Sequence, residues 1–242
     1  MLQHLLQGSL CLLLIFTGCL AGETPRSEEK DKSPSPPLFH TSSSPDIVVV
    51  DPDFERLTFD QFQEFQSDDN TWSTEGEVLI CSGLPYGYLS TRKSFHNFTL
   101  RGEYQFVLTD EQKQRPNRTN TGFLIAIQEP HRVWPRSLEV QGQYGQMGSI
   151  RFNGGLPPVA FSDHPEVRER VRLPADQWNA IEITMRDGAI TSRLNGEIVC
   201  TSQPAEILEG PIGLQAEGSV VRFRNLRVRR DSSMPIKEKP AR

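Results

Sequence analysis

The sequence predicts an all-β fold, an antiparallel β-sandwich or jelly roll, and three observations lead there. Apolar and polar residues alternate with period two in several separate stretches. Asp-Gly and Asn-Gly pairs fall between such stretches, where two-residue hairpin turns need positive φ. Helical signals are short, confined to Phe59–Phe62 and Pro165–Arg170.

The chain begins with a segment that does not belong to that fold. Leu10 to Phe16 is an apolar run, shorter than the roughly 20 residues that span a bilayer as a helix. It reads as the h-region of an export signal covering residues 1–21. Phe16-Thr17-Gly18-Cys19 resembles a bacterial lipobox, in which Cys19 is acylated and becomes the mature N-terminus. Cleavage after Ala21 is the alternative. Both imply a periplasmic or cell-surface protein, and the first adds a membrane attachment through the N-terminal lipid only.

Residues 22–45 are rich in Ser, Pro, Glu and Lys and include Ser33-Pro34-Ser35-Pro36-Pro37. Such a segment buries too little apolar surface to offset its ordering entropy, so it reads as a linker. The folded domain is expected over residues 46–230, followed by a polar tail, 231–242.

Within the domain the strand signals follow one another. Gly76 to Cys81 alternates, and Gly83-Leu84-Pro85-Tyr86-Gly87 turns. Phe98 to Phe106 carries apolar residues at strict period two. Thr121–Ile127 and Leu138–Gln141 obey the same rule. Ile181, Ile183 and Met185 lead to Asp187-Gly188; Ile190, Ser192 and Leu194 lead to Asn195-Gly196, and Glu197 to Cys200 follows. Three successive antiparallel strands result. Pro211–Gln215 and Val220–Val228 supply two more.

Charge and cysteine content narrow the function classes. A net charge of −5 lacks the basic excess of a nucleic-acid binder, and no nucleic-acid partner is expected. Cys81 and Cys200 are the cysteines outside the leader. An exported compartment permits a disulfide between them, and two buried thiols are the simpler reading. CxxC and HExxH are absent, so no metal site and no cofactor is read.

A set of short blocks then recurs in a telling order. They are Gly83-Leu84-Pro85-Tyr86-Gly87-Tyr88-Leu89-Ser90-Thr91, Asn120-Thr121-Gly122-Phe123-Leu124 and Trp134-Pro135-Arg136-Ser137-Leu138-Glu139-Val140-Gln141. Trp178-Asn179, Leu194-Asn195-Gly196, Gly213-Leu214-Gln215 and Phe223-Arg224-Asn225 complete the set. From Trp72 to Arg229 the chain resembles the 3-keto-disaccharide hydrolase domain family. Two departures stand out: Leu57-Thr58-Phe59-Asp60 replaces a Leu-Phe-Asn-Gly-like turn, and Gly148-Ser149 stands where relatives often have Gly-Asp.

The resemblance implies a concanavalin-like jelly roll that cleaves a glycoside already oxidised to a ketone at C3. A C3 ketone acidifies the C2 proton, so a modest base can remove it and expel the C1 substituent, after which water adds. Such a site needs a base near C2 and donors at the enolate and leaving oxygens. The runner-up function is a non-catalytic carbohydrate-binding module on the same scaffold.

Strand parity nominates the side chains. Leu138 and Val140 share one face, and Glu139 and Gln141 the other. If the apolar pair lies between the sheets, Glu139 and Gln141 project from a concave surface. Gln215 does the same beside Leu214. Glu139 is the candidate base, its pKa raised by desolvation beneath Trp134, and His131 is the second candidate. Trp134, Arg136 and Asn120 join Gln141 and Gln215 as candidate carbohydrate contacts, Trp134 by stacking on a sugar ring.

Overall fold

The computed structural model describes residues 52–231. The leader, Cys19, the 22–45 linker, the first residues of the expected domain and the tail beyond Asp231 lie outside these residues. Among the described residues, fifteen strands and two short α-helices follow one another. The strands are β1 (Glu55–Arg56), β2 (Phe62–Phe65), β3 (Trp72–Glu75), β4 (Val78–Cys81), β5 (Gly87–Thr91), β6 (Phe98–Phe106), β7 (Gly122–Gln128) and β8 (Arg136–Gln141). After them come β9 (Ile150–Asn153), β10 (Phe161–Asp163), β11 (Asn179–Arg186), β12 (Ala189–Leu194), β13 (Glu197–Ser202), β14 (Gly213–Ala216) and β15 (Val221–Arg230). Helix α1 (Asp110–Gln114) lies between β6 and β7, and α2 (Pro165–Val171) between β10 and β11.

The strands form two antiparallel sheets. The larger runs β10-β13-β12-β11-β6-β15-β4-β3, with β1 paired to part of β15. The smaller runs β2-β5-β14-β7-β8-β9. The expected antiparallel sandwich of jelly-roll type is therefore the observed fold.

Period two decides what lies between the sheets. Phe98, Leu100, Tyr104 and Phe106 of β6 face Phe123 and Ile125 of β7 and Leu138 and Val140 of β8 within one buried cluster. Burying each such side chain contributes about 1.5–3 kcal/mol. Tyr104 sits at its centre, with ring centroids 5.5 Å from Phe123 and 6.2 Å from Phe223. Cys81 and Cys200 are both free and buried there, and burial pushes their thiols up to about 12 and about 11.

Both predicted hairpins form. Asp187 and Gly188 have φ of 47° and 81°, and Asn195 and Gly196 have 48° and 92°. Positive φ at both central positions gives the turn whose twist matches the flanking strands.

One strand departs from the simple alternation. Ala126 takes φ 57°, and the β7–β8 register shifts between Ile125 and Gln128. The extra residue of this bulge reverses parity, so Ile127 leaves the main core for the opposite face. The Gln128 side-chain amide donates to the carbonyl of Ala126 at 2.9 Å and to that of Glu209 at 2.7 Å, bracing the bulge.

Candidate functional site

The outer face of the smaller sheet is assembled row by row from strand register. One row runs Gln63, Ser90, Gly213, Leu124, Glu139 and Arg151 across β2, β5, β14, β7, β8 and β9. The next places Phe65, Tyr88 and Gln215 in line, with Gly122 and Gln141 paired beyond them. Residues directly opposed across antiparallel strands share a face. Leu138, Val140 and Leu214 are buried on the inner side, so Glu139, Gln141 and Gln215 face outward together.

Half of this face is filled by apolar side chains. Tyr88, Leu124 and Ile127 form a second small cluster with Phe65 packed against it. The Tyr88 hydroxyl bonds to Nδ1 of His131. Nε2 of the same ring lies 2.8 Å from Glu129 Oε1. Burial, with the Glu129 charge adding, raises the Tyr88 pKa well above its ordinary value. Both nitrogens of His131 are thus engaged, and the ring caps the apolar half. It is poorly placed to act as a base.

The other half is polar. Glu139 is only 4% exposed, and its Oε2 accepts from the Asn153 side chain at 2.6 Å. Gln215, 2% exposed, lies across Gly122 from Glu139. A Cβ at Gly122 would collide with Gln215 Oε1 and sit 2.7 Å from Glu139 Oε1. Gln215 Oε1 has no hydrogen-bond partner in this arrangement. Burial pushes Glu139 up to about 7, against the lowering effect of the Asn153 bond; the Glu217 charge raises it further and Arg151 opposes.

Glu217 stands at the rim and is the second ionisable group here. Its carboxylate accepts from the Trp134 indole N–H at 3.3 Å. Its pKa is also raised by burial, with the indole bond opposing. Trp134 is 47% exposed and meets Tyr86, 44% exposed, edge to face at 6.4 Å between centroids. The polar contact of Trp134 is thus to Glu217, and the neighbours acting on the Glu139 carboxyl are Asn153, Glu217 and Arg151. Among the described residues, no group of three or more His, Cys, Asp and Glu side chains is arranged to hold a metal ion.

Residues 53–229 match the model of the 3-keto-alpha-glucoside-1,2-lyase-like domain. The chain belongs to this family. Two solved structures share the fold of this lyase-like domain, both of proposed glycosyl hydrolases from Parabacteroides distasonis ATCC 8503. One is 18% identical over 72% of this chain and 90% of its own, with a TM-score of 0.52. The other is 18% identical over 71% and 94%, with a TM-score of 0.51. No curated protein matches the chain in sequence.

Not every residue nominated in this lyase-like domain joins the group. Arg136 shares the parity of Leu138 and Val140, so it points to the other side of β8 and pairs with Glu206. Asn120 donates its backbone N–H to Ser219 Oγ at 3.0 Å, and its side-chain oxygen is buried without a partner. Gln141 Oε1 is occupied by the backbone N–H of Gln143 at 2.8 Å. Ser149 is buried with an unpartnered hydroxyl. Asn153 and Glu129 were not among the sequence candidates, and neither was Tyr88. The alternation Ile150-Arg151-Phe152-Asn153 held the signal for the first, since buried Ile150 sends Arg151 and Asn153 outward.

Proposed function

We propose that this lyase-like domain is an exported, carbohydrate-active enzyme that cleaves 3-keto-glycosides, with Glu139 as the base. The observation that carries the reading is a buried carboxyl with a pKa of about 7, facing outward from the sheet and coupled to a second carboxyl, Glu217. Family membership supports the same reaction class, and perturbed neighbouring carboxyls in one recess are a general mark of catalytic sites.

The proposed sequence balances with one residue. The Glu139 carboxylate takes the C2 proton, and the electron pair of that bond forms the enolate of the C3 ketone. The enolate then reforms the carbonyl, makes the C1–C2 double bond and breaks the bond to the leaving oxygen. The protonated Glu139 returns its proton to that oxygen. Water adds at C1 with proton transfer to Glu139, which passes it to C2. Gln215, with a free acceptor over Gly122, serves a sugar hydroxyl, and the exposed Trp134–Tyr86 pair offers an apolar ring face for stacking.

That aromatic pair also favours a second reading, a non-catalytic carbohydrate-binding module. Incubating the purified protein with a 3-keto-glucoside separates the two. Release of the aglycone with loss of the ketone-bearing glycoside supports the enzyme, whereas saturable binding without release overturns it. Export and lipid attachment at Cys19 remain part of the proposal, supported by the apolar run and the lipobox-like Phe16-Thr17-Gly18-Cys19. Mass spectrometry of the native N-terminus tests them: an uncleaved Met1 contradicts both.

A further inference from the structure

The outer face of the larger sheet, away from the candidate site, holds a cleft of about 530 Å³. Arg101, Glu103, Glu182, Arg193, Asn225 and Arg227 line it. The row of side chains that runs into it follows from register. Arg56 of β1 opposes Arg227 of β15, which opposes Arg101 of β6. Arg101 in turn opposes Glu182 of β11, which opposes Arg193 of β12. The alternate residues Leu100, Ile181, Leu194 and Val228 are buried in the core, so this row faces outward.

Three arginines in direct cross-strand succession are an unfavourable arrangement, because like charges directly opposite repel. Arg56 pairs with Glu77. Arg101 and Arg193 share Glu182 at 2.7 and 3.5 Å. Glu103 is taken by Arg224 at 2.7 Å and by the Asn225 amide at 2.8 Å. Arg227 donates Nε to the Asn225 carbonyl at 3.4 Å and has no carboxylate partner among the described residues.

Two further features point to a ligand. The guanidinium carbon of Arg101 lies over the Phe54 ring, 4.3 Å from its centroid, a cation–π contact that restrains the group. The volume is also far larger than a simple inorganic anion needs and matches a small organic ligand. Glu103 and Glu182 are acceptors suited to hydroxyl groups, and as negative charges within the cleft they disfavour a polyphosphate chain.

We propose that this cleft binds an anionic saccharide, its carboxylate or sulfate group seated on Arg227 beside Arg101, its hydroxyls on Glu103 and Glu182. A guanidinium fork binds either acid group through two parallel N–H bonds. The proposal is independent of the reaction assigned to Glu139, since the two faces belong to different sheets.

The test is calorimetric titration of the full chain with D-glucuronate, glucose 6-sulfate, D-glucose and sodium sulfate. At least one acidic sugar is expected to bind about tenfold or more tighter than both glucose and inorganic sulfate, and the two acidic arms tell carboxylate from sulfate. Arg227→Gln should remove that preference while leaving the melting temperature and any turnover at Glu139 unchanged. Arg227→Lys, which keeps the charge and loses the fork, should fall in between. Glucose binding as tightly as both acidic sugars, inorganic sulfate matching the better-bound acidic sugar, or an Arg227→Gln protein that binds like the parent would each overturn the proposal.

Discussion

Gln215 and Glu139 reach toward each other across Gly122, from the strands on either side of it. A glycine in mid-strand ordinarily weakens a sheet. Here its missing side chain is the space the carboxamide occupies. Gly122→Ala should cost about 1 kcal/mol of stability, because the crowded atoms are side-chain ends that can swing aside. The same swing separates the two groups, so kcat/KM on a 3-keto-glycoside should fall by about tenfold or more. Urea denaturation and steady-state kinetics read the two effects separately. Full activity in the alanine variant would show that this contact is dispensable.

Glu139→Gln keeps the shape and the Asn153 contact but cannot accept a proton. Turnover should be abolished while binding of the keto-glycoside survives. A rate within about tenfold of the parent, some 1.4 kcal/mol in barrier, removes Glu139 as the base. His131, with both nitrogens occupied, would then be a weak replacement.

The raised pKa of Glu139 has a stability consequence of definite sign. The folded protein holds this proton up to about pH 7, whereas an unperturbed glutamate releases it near 4.5. Between those values the native state binds more protons than the unfolded chain, so stability falls as pH rises. The loss from this one group is about 3 kcal/mol across that window, complete above it and absent below it. Glu217, raised in the same direction, steepens the slope. Chemical denaturation from pH 4 to 8 should show the fall, and Glu139→Gln should flatten most of it. An equally steep slope in that variant assigns the effect elsewhere.

Activity should respond to pH in the opposite sense, since the base must be ionised. The acid limb of kcat/KM is expected near pH 7. Glu217→Gln removes a negative charge that favours protonation of Glu139, so the limb should move to lower pH. An unmoved limb would mean that the two carboxyls are not coupled in solution.

Much of this arrangement was readable from the chain because two-residue periodicity is a local property. Burying Leu138 and Val140 leaves Glu139 and Gln141 only the other side of the strand, whatever the strand pairs with. The same parity excludes Arg136, an inference the sequence supported but the Pro-flanked motif obscured. The Ala126 bulge broke the rule, since one residue in the left-handed region reverses every side chain after it. β9 shows its alternation over only four residues and β5 is buried on both faces, so Asn153 is weakly marked in the chain and Tyr88 is not marked by parity at all.

By itself, then, the sequence determined the fold class, the two tight hairpins and the facing of Glu139, Gln141 and Gln215, because burial of apolar neighbours and turn chemistry act within a few residues. Only the tertiary structure decided which outward-facing groups meet. Glu217 approaches Glu139, His131 turns inward to Tyr88, and Arg56, Arg227 and Arg101 come into line across three strands. Periodicity says which face a residue occupies. Register between strands distant in sequence says what stands beside it, and that depends on how the whole sheet packs.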